Sequence, residues 1–360
     1  MNRDLINIRS LSIEELTSHI EKLGEKKFRA KQIYEWLWKK NARSFDSMSD
    51  LSLNLREKLN SSFYLDLIEL KSKQISTDKT VKCAYSVQEG KVIEGVLIPT
   101  SKRMTACISS QIGCSLSCSF CATGKLKLLR NLSVGEIVDQ VVHLKQEATE
   151  LYNINLSNIV LMGMGEPLLN YKNVLSAIEV LTSKFGLGMS PRRITLSTAG
   201  VAKMIKKLGD DEVKFNLALS LHAANDEKRN TIMEINETNN LESLKDALIY
   251  FHQKTGTRVT LEYILLNDFN DSKADAQNLV EFCKEIPVKV NLIEYNSIDD
   301  ALFSKSSQAK TDSFIEILEQ NRVIVNFRRS RGKDIDAACG QLANKNEAIN
   351  LSDRQLKLVK

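Results

Sequence analysis

Cys114, Cys118 and Cys121 are spaced C-x3-C-x2-C within QIGCSLSCSFCATG. Thiolates are soft ligands that suit iron–sulfur clusters or zinc. A structural zinc site takes four ligands, usually as paired C-x2-C units, and no fourth cysteine lies near this group. Three thiolates on a four-iron cube leave one iron open to a small molecule. Zinc completed by a distant fourth ligand is the alternative. The chain holds seven cysteines and four histidines, which disfavours a His-rich metal site. The N-terminus has no apolar signal core, so a cytosolic protein is expected and a disulfide framework is not.

Such a site needs a frame. Residues 1–65 read as a small helical domain: Ser12 with Glu15 forms a capping box, and Ile33, Trp36 and Leu37 share one helix face. Residues 66–100 alternate like antiparallel strands, with turn signals at Ser76–Asp78 and Glu89–Gly90. From 101 to 345, strand and helix patterns alternate six or seven times, which implies a parallel sheet closing into a partial (β/α)6 TIM-like barrel. Residues 346–360 remain as a tail. In such barrels chemistry gathers on loops after the strands. The unusual sequences QIGCSLSCSFCATG, GMGEP, STAG, SLHA and EYN fall at those places. No GxGxxG or Walker motif follows the first strand.

Charge is mildly basic, with 50 Lys and Arg against 45 Asp and Glu. The excess is clustered. Lys22–Arg43 holds eight basic residues and two acidic ones, and Arg328–Lys333 has four basic residues in six. Such patches suit a polyanion; a solvated helix face and a basic loop are the plainer reading. No run of eighteen apolar residues occurs, so no membrane span is expected.

The cysteine loop resembles that of the radical S-adenosylmethionine (SAM) superfamily. CISSQIGCSLSCSFCATG, NIVLMGMGEPLLNY, SLHA and GKDIDAACGQL resemble, more closely, the bacterial dual-specificity RNA methyltransferases of the RlmN type, over essentially the whole chain. The resemblance implies a radical SAM barrel and a [4Fe-4S] cluster on Cys114, Cys118 and Cys121. It implies two SAM per turnover, held by Gly165, Glu166, Ser197, Ser220, Leu221, His222 and Asn296. Leu221 would act through its main chain.

Carbon 2 of adenine is electrophilic and cannot attack a sulfonium methyl as a nitrogen would, whereas a carbon radical can add to it. By resemblance, Cys339 carries the methyl group that becomes this radical. Cys107 resolves the resulting RNA adduct through a transient Cys107–Cys339 disulfide, and Glu94 takes the ring proton. Read alone, Cys107 is a buried strand residue and Glu94 an exposed edge residue. Ser197 and Asn296 could be turn residues, and His222 a strand-end residue bonding the backbone. Cys83 and Cys283 match no motif and read as packing.

The implied partners are 23S ribosomal RNA and transfer RNA, with a low-potential, flavodoxin-like electron donor and a monomeric state. Lys26, Lys27, Arg29, Lys31, Arg328, Arg329 and Arg331 are candidate phosphate contacts. Two rivals stand: the related enzyme that methylates carbon 8 of adenine, and a non-catalytic RNA-binding protein stapled by zinc or a cluster.

Overall fold

A computed structural model describes residues 5–299 and 302–344; the expected tail 346–360 lies outside the described residues. Ten strands form one sheet: β1 (Glu69–Ile75), β2 (Val81–Ser86), β3 (Val92–Pro99), β4 (Met104–Cys107), β5 (Asn158–Leu161), β6 (Ile194–Thr198), β7 (Asn216–Ser220), β8 (Val259–Leu265), β9 (Val288–Glu294) and β10 (Val325–Arg328). Their order across the sheet is their order in the chain. β1 to β4 pair antiparallel. β4 to β10 pair parallel.

Six helical crossovers link the parallel strands, so the six expected βα units are present and β10 ends the series. The crossover helices are α4 (Val134–Tyr152), α5 (Tyr171–Thr182), α6 (Ala202–Asp210), α8 (Leu241–Thr255), α9 (Lys273–Cys283) and α10 (Gln308–Gln320), with the short α7 (Asp226–Ile232) preceding α8. Their starts are legible: Ser133 with Glu136, and Ser272 with Asp275, form capping boxes. β8 is buried along its whole length, as expected of a parallel strand covered on both faces.

Edge strands β1 and β10 do not pair with each other. A loop spans the gap. Gly332 N–H donates to Asp78 Oδ2 at 2.9 Å, and Thr77 N–H donates to Asp334 Oδ2 at 3.0 Å. The loop after the last strand therefore grips the turn between the first two, and this loop leads to Cys339.

Residues 5–65 hold α1 (Ile13–Lys22), α2 (Lys27–Trp38) and α3 (Leu53–Ser62). The Ser12–Glu15 capping box opens α1. Leu16, Ile20, Ile33, Leu37, Leu55 and Leu59 join the same hydrophobic core as the barrel. A polar weld reinforces it. The buried Arg9 guanidinium donates to Asp139 Oδ2 on α4 and to the Asp66 carbonyl, both at 2.9 Å, and lies 4.8 Å from the Trp38 ring. Asp66 in turn accepts from the Ser133 hydroxyl that caps α4. Among the described residues, no helix is long and apolar enough to cross a membrane.

Candidate active site

The three-cysteine loop lies between β4 and α4 and lines a cavity at the C-terminal ends of the parallel strands. Cys114, Cys118 and Cys121 share its wall with Gly165, Glu166, Ser197, Ser220, His222, Glu262, Arg328 and Cys339. All three thiols line the same space. Among the described residues, no three Cys, His, Asp or Glu are close enough to hold a single ion. Gly124 keeps the loop tight: a Cβ there would stand 2.8 Å from the Cys118 carbonyl oxygen. Burial pushes the Cys114 thiol up to about 11 and raises Cys118 and Cys121 too. They are neutral thiols until a cation displaces their protons.

Glu166 follows β5. Its Oε2 accepts the Ala199 N–H at 2.7 Å and its Oε1 the Leu168 N–H at 3.0 Å. Burial raises its pKa and these backbone donors oppose the rise. The carboxylate keeps lone pairs for a ligand ammonium. Gly165 has φ of +93°, and a Cβ would sit 2.4 Å from the Gln111 Cβ, so no side chain fits.

Ser197 and Ser220 end neighbouring strands, with their hydroxyl oxygens 3.4 Å apart. His222 lines the same cavity, yet its Nδ1 accepts the Ile264 N–H at 3.1 Å. Burial, then the nearby Arg229 cation, holds its pKa down to about 3, so the ring is neutral. Leu221 does not line the cavity. Its N–H donates to the Glu262 carbonyl and its own carbonyl accepts from Arg229 Nε, both at 3.0 Å.

A second cavity adjoins the first, lined by Cys107, Val96, Ile98, Arg328, Arg329, Arg331 and Cys339. Cys339 and Arg328 face both spaces. Protein surrounds Cys339, but the two cavities leave it open to solvent. Cys107 lies buried at the end of β4; burial, then the neighbouring Cys339, pushes its thiol up to about 12. The two sulfurs are unbonded.

The segment bearing Cys339 is stitched to its surroundings. Asn296 Nδ2 donates to the Cys339 carbonyl at 3.3 Å, and Ala122 N–H donates to the Gly340 carbonyl at 2.7 Å. Thr123 Oγ1 donates to the Leu342 carbonyl at 2.6 Å. Asn296 therefore helps hold the Cys339 segment, while its own Oδ1 is buried without a hydrogen-bond partner.

Residues 6–65 match the family described as the ribosomal RNA large subunit methyltransferase N-terminal domain, and residues 108–282 match the radical SAM superfamily. A probable dual-specificity RNA methyltransferase RlmN of Cytophaga hutchinsonii is 57% identical, covering 94% of this chain and 93% of that protein. Dual-specificity RNA methyltransferase RlmN 2 of Myxococcus xanthus is 43% identical over 95% and 92%. A crystal structure of a radical SAM methyltransferase from Sphaerobacter thermophilus superposes with a TM-score of 0.88 at 36% identity, covering 94% and 99%. The chain belongs to the RlmN family of radical SAM RNA methyltransferases.

RlmN-family membership brings a [4Fe-4S] cluster and SAM; the first cavity offers three thiols and two carboxylates, Glu166 and Glu262, a donor set that fits both. Glu94 lies elsewhere. It is on β3, on the same face as Val96 and Ile98 but fully buried, and it lines neither cavity. Its Oε2 accepts the N–H groups of Ala343 and Asn344 at 3.0 and 3.2 Å.

The basic candidates divide into two places. Arg328, Arg329 and Arg331 line the second cavity, with Arg328 paired to Glu262 at 3.3 Å. Lys26, Lys27, Arg29 and Lys31 are on or beside the first turns of α2, where Lys31 Nζ lies 5.1 Å from the Phe185 ring centre. Phe185 follows the C-terminal end of α5, at the end of the barrel away from the cysteines. Cys83 and Cys283 are buried and line neither cavity.

Sequence reasoning missed Arg229 and Glu262. Arg229 is fully buried and donates to the Ala199 carbonyl at 2.6 Å, the Ser220 carbonyl at 3.2 Å, the Leu221 carbonyl at 3.0 Å and Asn236 Oδ1 at 2.6 Å. It ties the loops after β6 and β7 together behind the cavity. Glu262 left one sequence signal, a lone acid within the apolar strand VTLEYIL.

Proposed function

We infer that this chain methylates carbon 2 of an adenine in 23S ribosomal RNA and in transfer RNA. One observation carries the reading: Cys339 stands between the cavity walled by Cys114, Cys118 and Cys121 and the cavity that holds Cys107. When bound, the cluster on the three thiolates and two successive SAM molecules supply a methyl group and the one-electron chemistry that activates it. Gly165, Glu166, Ser197, Ser220, Leu221, His222 and Asn296 are the residues assigned to hold SAM, with Glu166 receiving its ammonium.

Cys339 accepts the methyl on sulfur and holds the carbon that bonds to the ring. Glu94 takes the ring proton. Cys107 then attacks the Cys339 sulfur as a thiolate; the sulfur–carbon bond to the RNA breaks, the released carbon takes up a proton to become the methyl group, the one electron left over would return to the one-electron carrier at the three thiolates, and a Cys107–Cys339 disulfide forms, which cellular thiols reduce. Arg328, Arg329 and Arg331 stand at the entrance assigned to the flipped base, where they can meet phosphate. A flavodoxin-like donor and a monomeric enzyme complete the proposal.

The test is the mass of the Cys339 peptide after anaerobic reconstitution with SAM. An added methyl is expected, absent in Cys339→Ala. Cys107→Ala should trap a covalent protein–RNA adduct. Free methylated RNA at normal rates from Cys107→Ala would overturn the resolving role, and a methyl on carbon 8 would overturn the assignment of carbon 2.

A further inference from the structure

Lys82 is a second charged residue buried on the antiparallel part of the sheet, and nothing above assigns it a task. It is 4% exposed on β2, and its Nζ lies 3.6 Å from Glu94 Oε1, itself 1% exposed. Glu94 Oε1 has no hydrogen-bond partner. Lys82 Nζ also donates to the Asp336 carbonyl at 3.5 Å. The other carboxylate oxygen, Oε2, accepts the Ala343 and Asn344 N–H groups. Asn344 Nδ2 adds a bond to the Val92 carbonyl at 2.8 Å. Asp336 precedes Cys339 and Ala343 follows it. Both flanks of the Cys339 segment thus end on one buried ion pair.

We propose that Lys82 is a positioning residue for the RlmN-type reaction, holding Glu94 as an anion that both anchors the Cys339 segment and receives the ring proton. This rests on the reading of Glu94 as proton acceptor. A buried carboxylate needs a compensating charge or donors. While Ala343 and Asn344 cover Oε2, Glu94 has three such groups. Once that cover parts to let a base approach, Lys82 alone remains. The proton then moves from carbon 2 to a carboxylate oxygen, and the C–H electron pair stays with the ring. A neutral Glu94 holds the two N–H groups and Lys82 less strongly, since hydrogen bonds to charged groups are the stronger ones. Proton uptake therefore weakens re-closure of the segment and keeps it open at the stage when the modified RNA must leave.

The experiment is single-turnover release of the protein–RNA adduct by reconstituted holoenzyme, in Lys82→Met, Lys82→Arg, Glu94→Gln and the Lys82→Met/Glu94→Gln pair. Lys82→Met should slow release at least tenfold and accumulate adduct. Lys82→Arg should restore release to within about threefold. Because Lys82 acts through Glu94, the double variant should be no slower than Glu94→Gln, a non-additivity that marks coupled residues. Removing both charges also avoids the stranded buried carboxylate that could unfold the single variant. Normal release by Lys82→Met, or additive slowing in the double variant, overturns the role of Lys82 and leaves Glu94 standing. Normal release by Glu94→Gln overturns the reading of Glu94, and the role of Lys82 with it.

Discussion

Replacing Arg229 by Met should cost the enzyme both stability and its hold on SAM. The guanidinium joins the loop after β6, through the Ala199 carbonyl, to the end of β7, through the Ser220 and Leu221 carbonyls, and adds Asn236 from the turn after α7. Hydrogen bonds to a charged group each contribute about 1.5–3 kcal/mol. Removing the cation also removes its desolvation penalty of several kcal/mol, which is large here because burial brings Arg229 down to about 10. The net loss is then about 3–5 kcal/mol, or roughly 4–7 °C in melting temperature for a chain of this length. Ala199 also gives its N–H to Glu166, so slackening this loop displaces the carboxylate assigned to the ligand ammonium. SAM affinity should fall at least tenfold. Thermal unfolding and equilibrium dialysis of SAM on the reconstituted protein measure the two effects. A melting temperature within 1 °C of the parent, with affinity within twofold, would refute the reasoning.

Asp139→Asn should destabilise the chain by about 3–5 kcal/mol, because it strands the Arg9 cation in the core; the Arg9→Met/Asp139→Leu pair should melt higher than the single variant, and the opposite order would sink the argument. Gly165→Ala forces a Cβ to 2.4 Å from Gln111 at φ of +93°, so calorimetry should show SAM binding weakened more than tenfold. His222 is neutral when folded, with its pKa lowered from 6.5 to about 3. The unfolded chain takes up that proton near 6.5, so stability falls as pH drops from 6.5 toward 3, by about 1.4 kcal/mol per pH unit. His222→Asn should flatten this part of the melting-temperature profile, and parallel curves for parent and variant between pH 7 and 5 would count against it.

The seven parallel strands were legible because each is a largely apolar run next to a helical pattern, and some of those helices have clear starts, as Ser133 and Ser272 show. The three-cysteine loop was legible from spacing alone. Glu94 was read, in isolation, as an exposed edge residue, since one acid among strand residues commonly faces water. It is instead interior, because β1 shields β2 and β3 from the sheet edge and Lys82 compensates the charge. Arg229 was invisible for a related reason. It sits in DEKRNTI, a string that reads as a solvated face, and three of its four partner residues, Ala199, Ser220 and Leu221, offer it backbone carbonyls. Backbone acceptors leave no mark in side-chain pattern. Leu221 shows the converse: a residue assigned to the pocket by resemblance has both main-chain groups bonded within the protein.

The agreement between strand order in the sheet and strand order in the chain has a consequence for biosynthesis. Domains form from the N-terminus as the chain emerges, and here each new strand can add to the growing edge without waiting for a distant partner. The thiols for the cluster come with the first βα unit. Cys339 arrives only after the last strand, on the loop that bridges the remaining gap. A ribosome that stalls before β10 would release a polypeptide with Cys114, Cys118 and Cys121, the proposed cluster ligands, but without Cys339, the proposed methyl carrier. The layout supplies the proposed methyl acceptor after every strand of the sheet, so the proposed radical-generating loop is matched with it only once the whole sheet has been made.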